Sequence, residues 1–94
     1  MAKTYSKEWN GTLIEVKEVE RATTVRRELI IDGRTVDFVE GRHIVSGQND
    51  YMQGYDGENH IEVRFDERNF ILFKGIFIDF YYNGRKIDRI PMNK

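Results

Sequence analysis

Glu28-Leu29-Ile30-Ile31-Asp32-Gly33-Arg34-Thr35-Val36-Asp37-Phe38-Val39 is the stretch that decides the fold. An Asp-Gly pair between two alternating, β-branched runs is a hairpin signal. A two-residue type I′ turn needs positive φ at both central residues, and Asp followed by Gly accepts that at low cost. Before the turn, Val25, Arg27, Leu29 and Ile31 alternate with Arg26, Glu28 and Ile30. After it, Val36 and Phe38 are expected on one face and Thr35, Asp37 and Val39 on the other. A period of two residues is the mark of a strand with one buried side.

The same phrase recurs along the chain. Asn10-Gly11 precedes Thr12-Leu13-Ile14-Glu15, and Asn83-Gly84 precedes Arg85-Lys86-Ile87-Asp88. Asp56-Gly57 precedes Glu58-Asn59-His60-Ile61-Glu62, with one residue more. Four such turns predict an all-β domain over residues 1–94. The expected architecture is a small antiparallel sandwich or up-and-down barrel of about seven to nine strands built from sequential hairpins.

Between the turns, Ile61, Val63 and Phe65 alternate with His60, Glu62 and Arg64, which makes this the clearest half-buried strand. Tyr5 to Trp9 is expected to pair with the run that starts at Leu13, and segment 20–23 to form a loop. Segment 41–55 is the most irregular, with short strands at His43-Ile44-Val45 and Tyr51-Met52. Polar turns are expected at 66–69 and at Lys74-Gly75. The run 70–73 is apolar on both faces. Beyond it, Ile76, Ile78, Phe80 and Tyr82 share one face, and Phe77, Asp79 and Tyr81 the other.

Bulk composition narrows the function classes. Fifteen Lys and Arg against sixteen Asp and Glu give a net charge of -1, which disfavours a domain built mainly to grip nucleic acid. An aromatic set at Tyr51, Tyr55, Phe77 and Tyr81 with Arg26, Arg27, Arg42 and Arg64 would be the nucleic-acid reading. It requires those cations to share a face. The chain has no cysteine, which points to the cytoplasm, and it shows no signal peptide or apolar run of membrane-spanning length.

Motifs for chemistry are sparse. Ser46 lacks the surroundings of a nucleophile elbow, and His43 and His60 do not form a spaced metal pair. Asp50 and the Asp56-Gly57-Glu58-Asn59 group do not follow the spacing of a calcium-binding loop. No cofactor is expected. Asp79, set between Ile78 and Phe80, is the one acid inside an apolar run: it is either a desolvated carboxyl with a raised pKa or, the stronger reading, an edge-strand charge or a partner for Arg or Lys across the strand. The hairpin text 26–34 and 78–86 resembles the compact β domains of the Fas apoptotic inhibitory molecule family. That resemblance implies an all-β fold and carries no site residue.

These features predict a non-enzymatic cytoplasmic module that works by protein–protein interaction or homo-oligomerisation. Strands apolar on both faces must be covered on both sides. The second side is covered either by a loop or the N-terminal segment with Tyr5 and Trp9, or by another chain, and for the latter the candidate interface is Phe70, Leu72, Phe73, Phe77, Asp79 and Tyr81. The alternative is a β-barrel carrier for a small hydrophobic ligand, lined by Trp9, Tyr51, Tyr55, Phe65 and Phe80.

Overall fold

The computed structural model describes residues 2–42, 51–69 and 74–92. Eight antiparallel strands follow one another in these segments: β1 (Ala2–Trp9), β2 (Thr12–Glu20), β3 (Thr24–Ile31), β4 (Arg34–Arg42), β5 (Tyr51–Asp56), β6 (Asn59–Asn69), β7 (Lys74–Tyr82) and β8 (Arg85–Pro91). They make two four-stranded meanders, β1-β2-β3-β4 and β5-β6-β7-β8. The sheets share one core. Ile14, Val16, Leu29 and Ile31 from the first meet Met52, Ile61, Val63, Ile78 and Phe80 from the second, all fully buried. Full burial of each such side chain is worth about 1.5–3 kcal/mol before the entropy of ordering is counted.

Three of the four expected turns have the required backbone. Asn10, Asp32 and Asn83 have φ of 49°, 48° and 51°, and each is followed by a glycine with positive φ. The Asp56-Gly57 turn is different. Asp56 pairs with Asn59, so the loop is Gly57-Glu58, and positive φ falls on Gly57 alone at 62°. That is the pattern of a type II′ turn, which wants Gly first, and it explains the extra residue in this copy of the phrase.

Two strands carry a bulge that sequence alternation does not anticipate. Leu29 pairs with Asp37 but Ile30 pairs with Thr35, so Val36 is an extra residue in β4. The phase flips there, as a bulge requires. Val36 and Val39 both pack on the core, whereas Phe38 faces out, so Val36 and Phe38 do not share a face. The same event occurs in β8. Phe80 pairs with Asp88 and Tyr81 with Lys86, leaving Ile87 as the extra residue against the core.

Segments expected to be turns are strand instead. β6 continues through 66–69 and pairs with β7 as far as Asn69 opposite Lys74, so neither 66–69 nor Lys74-Gly75 is a turn. The expected strand at 43–45 and the apolar run 70–73 lie outside the described residues.

The two meanders repeat one plan. Asp32 donates its N–H to Leu13 O at 2.9 Å and accepts the Leu13 N–H on Oδ1 at 2.9 Å. Asn83 does the same with His60, at 2.7 and 2.8 Å. After each bulge comes an aspartate, Asp37 or Asp88, that accepts the next residue's N–H at 2.8 Å. Its second oxygen reaches the other sheet. Asp37 accepts the Gln53 N–H of β5 at 3.0 Å, and Asp88 pairs with Lys7 of β1 at 3.4 Å. These two aspartates bridge the two seams between the sheets. The Tyr5 hydroxyl, which donates to Met92 O, adds to the β1/β8 seam. At the end that carries the tight turns, Thr12 donates to Asp56.

Candidate functional site

The outer face of the second sheet collects most of the aromatic and charged residues that the sequence marks. Register fixes its rows. Tyr51, Arg64, Asp79 and Arg89 lie side by side across β5 to β8, and Gln53, Glu62, Tyr81 and Lys86 form the next row. Tyr55 and His60 follow toward the turn, and Asp66 and Phe77 lie toward the other end.

Asp79 is the electrostatic centre of this face and is 5% exposed. Arg89 donates to both its oxygens, Nε to Oδ1 at 2.7 Å and Nη2 to Oδ2 at 2.9 Å, and also reaches Asp66 at 2.8 Å. Lys86 stands 3.4 Å away. Burial by itself would push the Asp79 carboxyl up. The Arg89 hydrogen bonds and charge, reinforced by Lys86, outweigh it and hold the pKa below the ordinary value of 3.8. Of the sequence readings, the partner for Arg or Lys across the strand is the one the structure shows, and the raised pKa is not, because cations on β8 sit directly across from the acid. Arg89 is correspondingly held above its own ordinary value, chiefly by its hydrogen bond to Asp79. A bidentate, ion-paired carboxylate of this kind is a strut and not a poised acid.

The second apolar face of β7 is clothed by the chain itself. The Arg89 guanidinium lies 4.9 Å from the Phe77 ring centre and the Arg64 guanidinium 5.0 Å from that of Tyr81. Both rings are half-buried. Phe77, Asp79 and Tyr81 thus share a face as expected, while Phe70, Leu72 and Phe73 lie outside the described residues.

The candidate ligand-lining residues do not converge. Phe65 and Phe80 are core residues, and Trp9 is half-buried on β1 with Lys7 beside its ring. Tyr51 and Tyr55 stand on the outer face, 52% and 60% exposed. Two sets kept separate by sequence reasoning, the interface set and the lining set, therefore contribute Tyr51, Tyr55, Phe77, Asp79 and Tyr81 to one surface. His60 and Gln53 belong there too. Their side chains meet at 2.8 Å, and the Tyr55 and His60 rings are 5.1 Å apart. The signal that could have found them is the pairing offset from the Gly57 turn, which sets Tyr55 opposite His60.

The nucleic-acid arrangement is only half assembled. Its four aromatics share this face with Arg64, but Arg26 lies over Phe38 of the first sheet and Arg27 is wedged on Phe65. Among the described side chains this face carries Glu62, Asp66 and Asp79 against Arg64, Lys86 and Arg89, a balance that offers a polyanion little. Among the described residues no group of three or more His, Cys, Asp or Glu could hold a metal ion, and no helix is long and apolar enough to cross a membrane.

The repeated plan of the two meanders is an internal control. Where the second sheet has Tyr51, Tyr55, Arg64 and Tyr81, the same register positions of the first hold Thr4, Glu8, Lys17 and Ile30. The frame does not require aromatics at those positions. No family model, curated protein or solved structure matches the chain.

Proposed function

We propose that this protein is a non-enzymatic module that binds a protein partner through the outer face of its second sheet. The observation that carries the reading is the exposed Tyr51 and Tyr55 pair beside Arg64 and Tyr81, at positions where the equivalent meander makes do with Thr, Glu, Lys and Ile. Tyr and Arg are the side chains that concentrate binding energy at protein interfaces, since they offer large area and directed hydrogen bonds at modest entropic cost. Balanced charge suits a protein surface better than a polyanion. The cysteine-free sequence supports a reducing, cytoplasmic setting.

The frame itself supplies the test. Replacing Tyr51→Thr, Tyr55→Glu, Arg64→Lys and Tyr81→Ile writes the first sheet's residues onto the second. Capture of proteins from a lysate by quantitative mass spectrometry is compared for the wild type, this graft and a Phe38→Thr control on the opposite face. Proteins retained by the wild type and the control should be lost from the graft. Equal retention by all three would refute the proposal.

A further inference from the structure

Asn10-Gly11 and Asn83-Gly84 share the same left-handed turn backbone, both are exposed, and each follows an aromatic residue, Trp9 or Tyr82. The Asn83 side chain is held at both ends. Its Oδ1 accepts the His60 N–H at 2.8 Å, and its Nδ2 donates to Asn59 Oδ1 at 3.1 Å. Asp32 is anchored on Leu13 through the same kind of bond. Asn10 lacks this anchor. β1 begins its sheet, so no strand of that sheet lies beyond it to offer an N–H, and among the described residues the Asn10 side chain makes no hydrogen bond. We propose that Asn10-Gly11 is a site of spontaneous covalent modification in the folded protein, where the side-chain amide is lost to attack by the backbone, and that Asn83-Gly84 is locked against the same reaction.

The Gly11 backbone nitrogen forms a bond to Asn10 Cγ, the bond from Cγ to Nδ2 breaks, and the Gly11 amide proton leaves with that nitrogen as ammonia. The product is a cyclic succinimide. Water then opens the ring at either carbonyl. Addition at Cγ gives aspartate; addition at the main-chain carbonyl gives isoaspartate, with the backbone routed through the side chain. Glycine in second place leaves the attacking nitrogen unshielded. Gly11 is exposed, with nothing within 4 Å of where a Cβ would stand. Attack requires the asparagine to swing its Cγ toward the next nitrogen. At Asn83 that motion breaks two hydrogen bonds and leaves the His60 N–H without its acceptor, which slows the reaction by about tenfold or more. At Asn10 it breaks none. Asp32 shows that aspartate fits this turn position as it stands. Isoaspartate adds a backbone atom to a two-residue turn. The register that sets Trp9 opposite Thr12, from which Thr12 reaches Asp56, does not survive that unchanged.

Incubation of the full native chain in mildly alkaline buffer, followed by digestion and peptide mapping by mass spectrometry, is the test. The mass gained from amide to acid marks conversion at each pair, and chromatography separates aspartate from isoaspartate. In the native protein the Asn10 peptide should convert about tenfold or more faster than the Asn83 peptide. In concentrated urea, where both pairs are freed, the two rates should approach one another. Asn59→Ala removes one of the two side-chain bonds on Asn83. It should speed conversion at Asn83 by about two- to tenfold and leave Asn10, the internal reference, unchanged. A native ratio no larger than the ratio in urea, or an Asn83 peptide that converts first, would overturn the proposal. So would an Asn59→Ala protein in which Asn83 converts no faster, relative to Asn10, than in wild type.

Discussion

Gly54→Ala should destabilise the protein, although every local preference favours it. Gly54 occupies an inward position on β5 and its φ is not in the left-handed region, so alanine meets no backbone strain. In a strand, alanine is favoured over glycine by roughly 0.5–1 kcal/mol. A Cβ at Gly54, however, would lie 2.5 Å from Val36 Cγ2, 3.0 Å from Val36 Cβ and 3.2 Å from Ile31 Cδ1. Those atoms belong to β3 and β4 of the other sheet, where close packing leaves little room to move. Overpacking of this size costs about 1–3 kcal/mol, which outweighs the backbone gain and leaves a net loss of about 1–2 kcal/mol. In a domain of this length that lowers Tm by roughly 4–16 °C. Val36→Ala removes the closest atom, so the double variant should lose about 1 kcal/mol less than the sum of the single changes. Urea denaturation of all four proteins measures the cycle. Costs that add to within about 0.5 kcal/mol, or a Gly54→Ala protein more stable than wild type, would mean that β5 does not close on β4 at this point.

Further expectations follow from the ion cluster, the turns and the β1/β8 seam. Arg89→Met leaves Asp79 buried without its bidentate partner and should cost about 2–3 kcal/mol, reduced from a fully buried pair because Arg89 is partly exposed; urea midpoints near neutral pH report it. Because the Asp79 pKa is lowered in the fold, its contribution is present above the ordinary carboxyl value of 3.8 and is lost as pH falls through the folded value. Asp79→Asn should flatten that acid limb, and an unchanged limb would remove Asp79 as its source. Asn83→Ala removes a left-handed turn residue and the acceptor for the His60 N–H, and should cost about 1–2 kcal/mol by thermal melt. A change within about 0.5 kcal/mol would count against the type I′ turn. Tyr5→Phe removes the hydroxyl that donates to Met92 O and should cost about 1 kcal/mol. Burial, then the nearby Glu18, raises the Tyr5 pKa above 10.0, so stability should fall as pH rises past that value, and Tyr5→Phe should abolish the slope.

Hairpins were legible because turn chemistry is local. Asn-Gly and Asp-Gly favour positive φ, which three of the four pairs take at both residues, and the alternation of Ile61, Val63 and Phe65 is that of a strand. What stayed hidden depends on partners distant in sequence. Nothing near Val36 or Ile87 says that one strand carries a residue its neighbour lacks, so the faces of β4 beyond the bulge were misassigned. Asp79 was singled out as an acid in an apolar run, but the direction of its pKa shift was set by Arg89 on the next strand. Polar text at 66–69 read as a turn because composition alone does not separate a loop from the continuation of a strand, which pairing with β7 decides.

The candidate site was hidden for a related reason. Tyr51 and Tyr55 come from the edge strand β5, and Phe77 and Tyr81 from β7, two strands away across β6. Alternation places each on a face of its own strand, but only the Gly57-Glu58 turn sets β5 against β6 so that Tyr51 meets Arg64. A type I′ turn at Asp56-Gly57 would shift that pairing by two residues and set Tyr51 opposite Glu62 and Tyr55 opposite Glu58. Both tyrosines would keep the outer face, because a shift of two preserves the alternation, but Tyr51 would lose its place beside Arg64. Met52 would then stand opposite Ile61 where Gly54 stands, and its side chain would meet Val36 where the seam has no room for even a Cβ. The departure of this one turn from the repeated phrase therefore fixes both the close approach of the two meanders at Gly54 and the pairing of Tyr51 with Arg64.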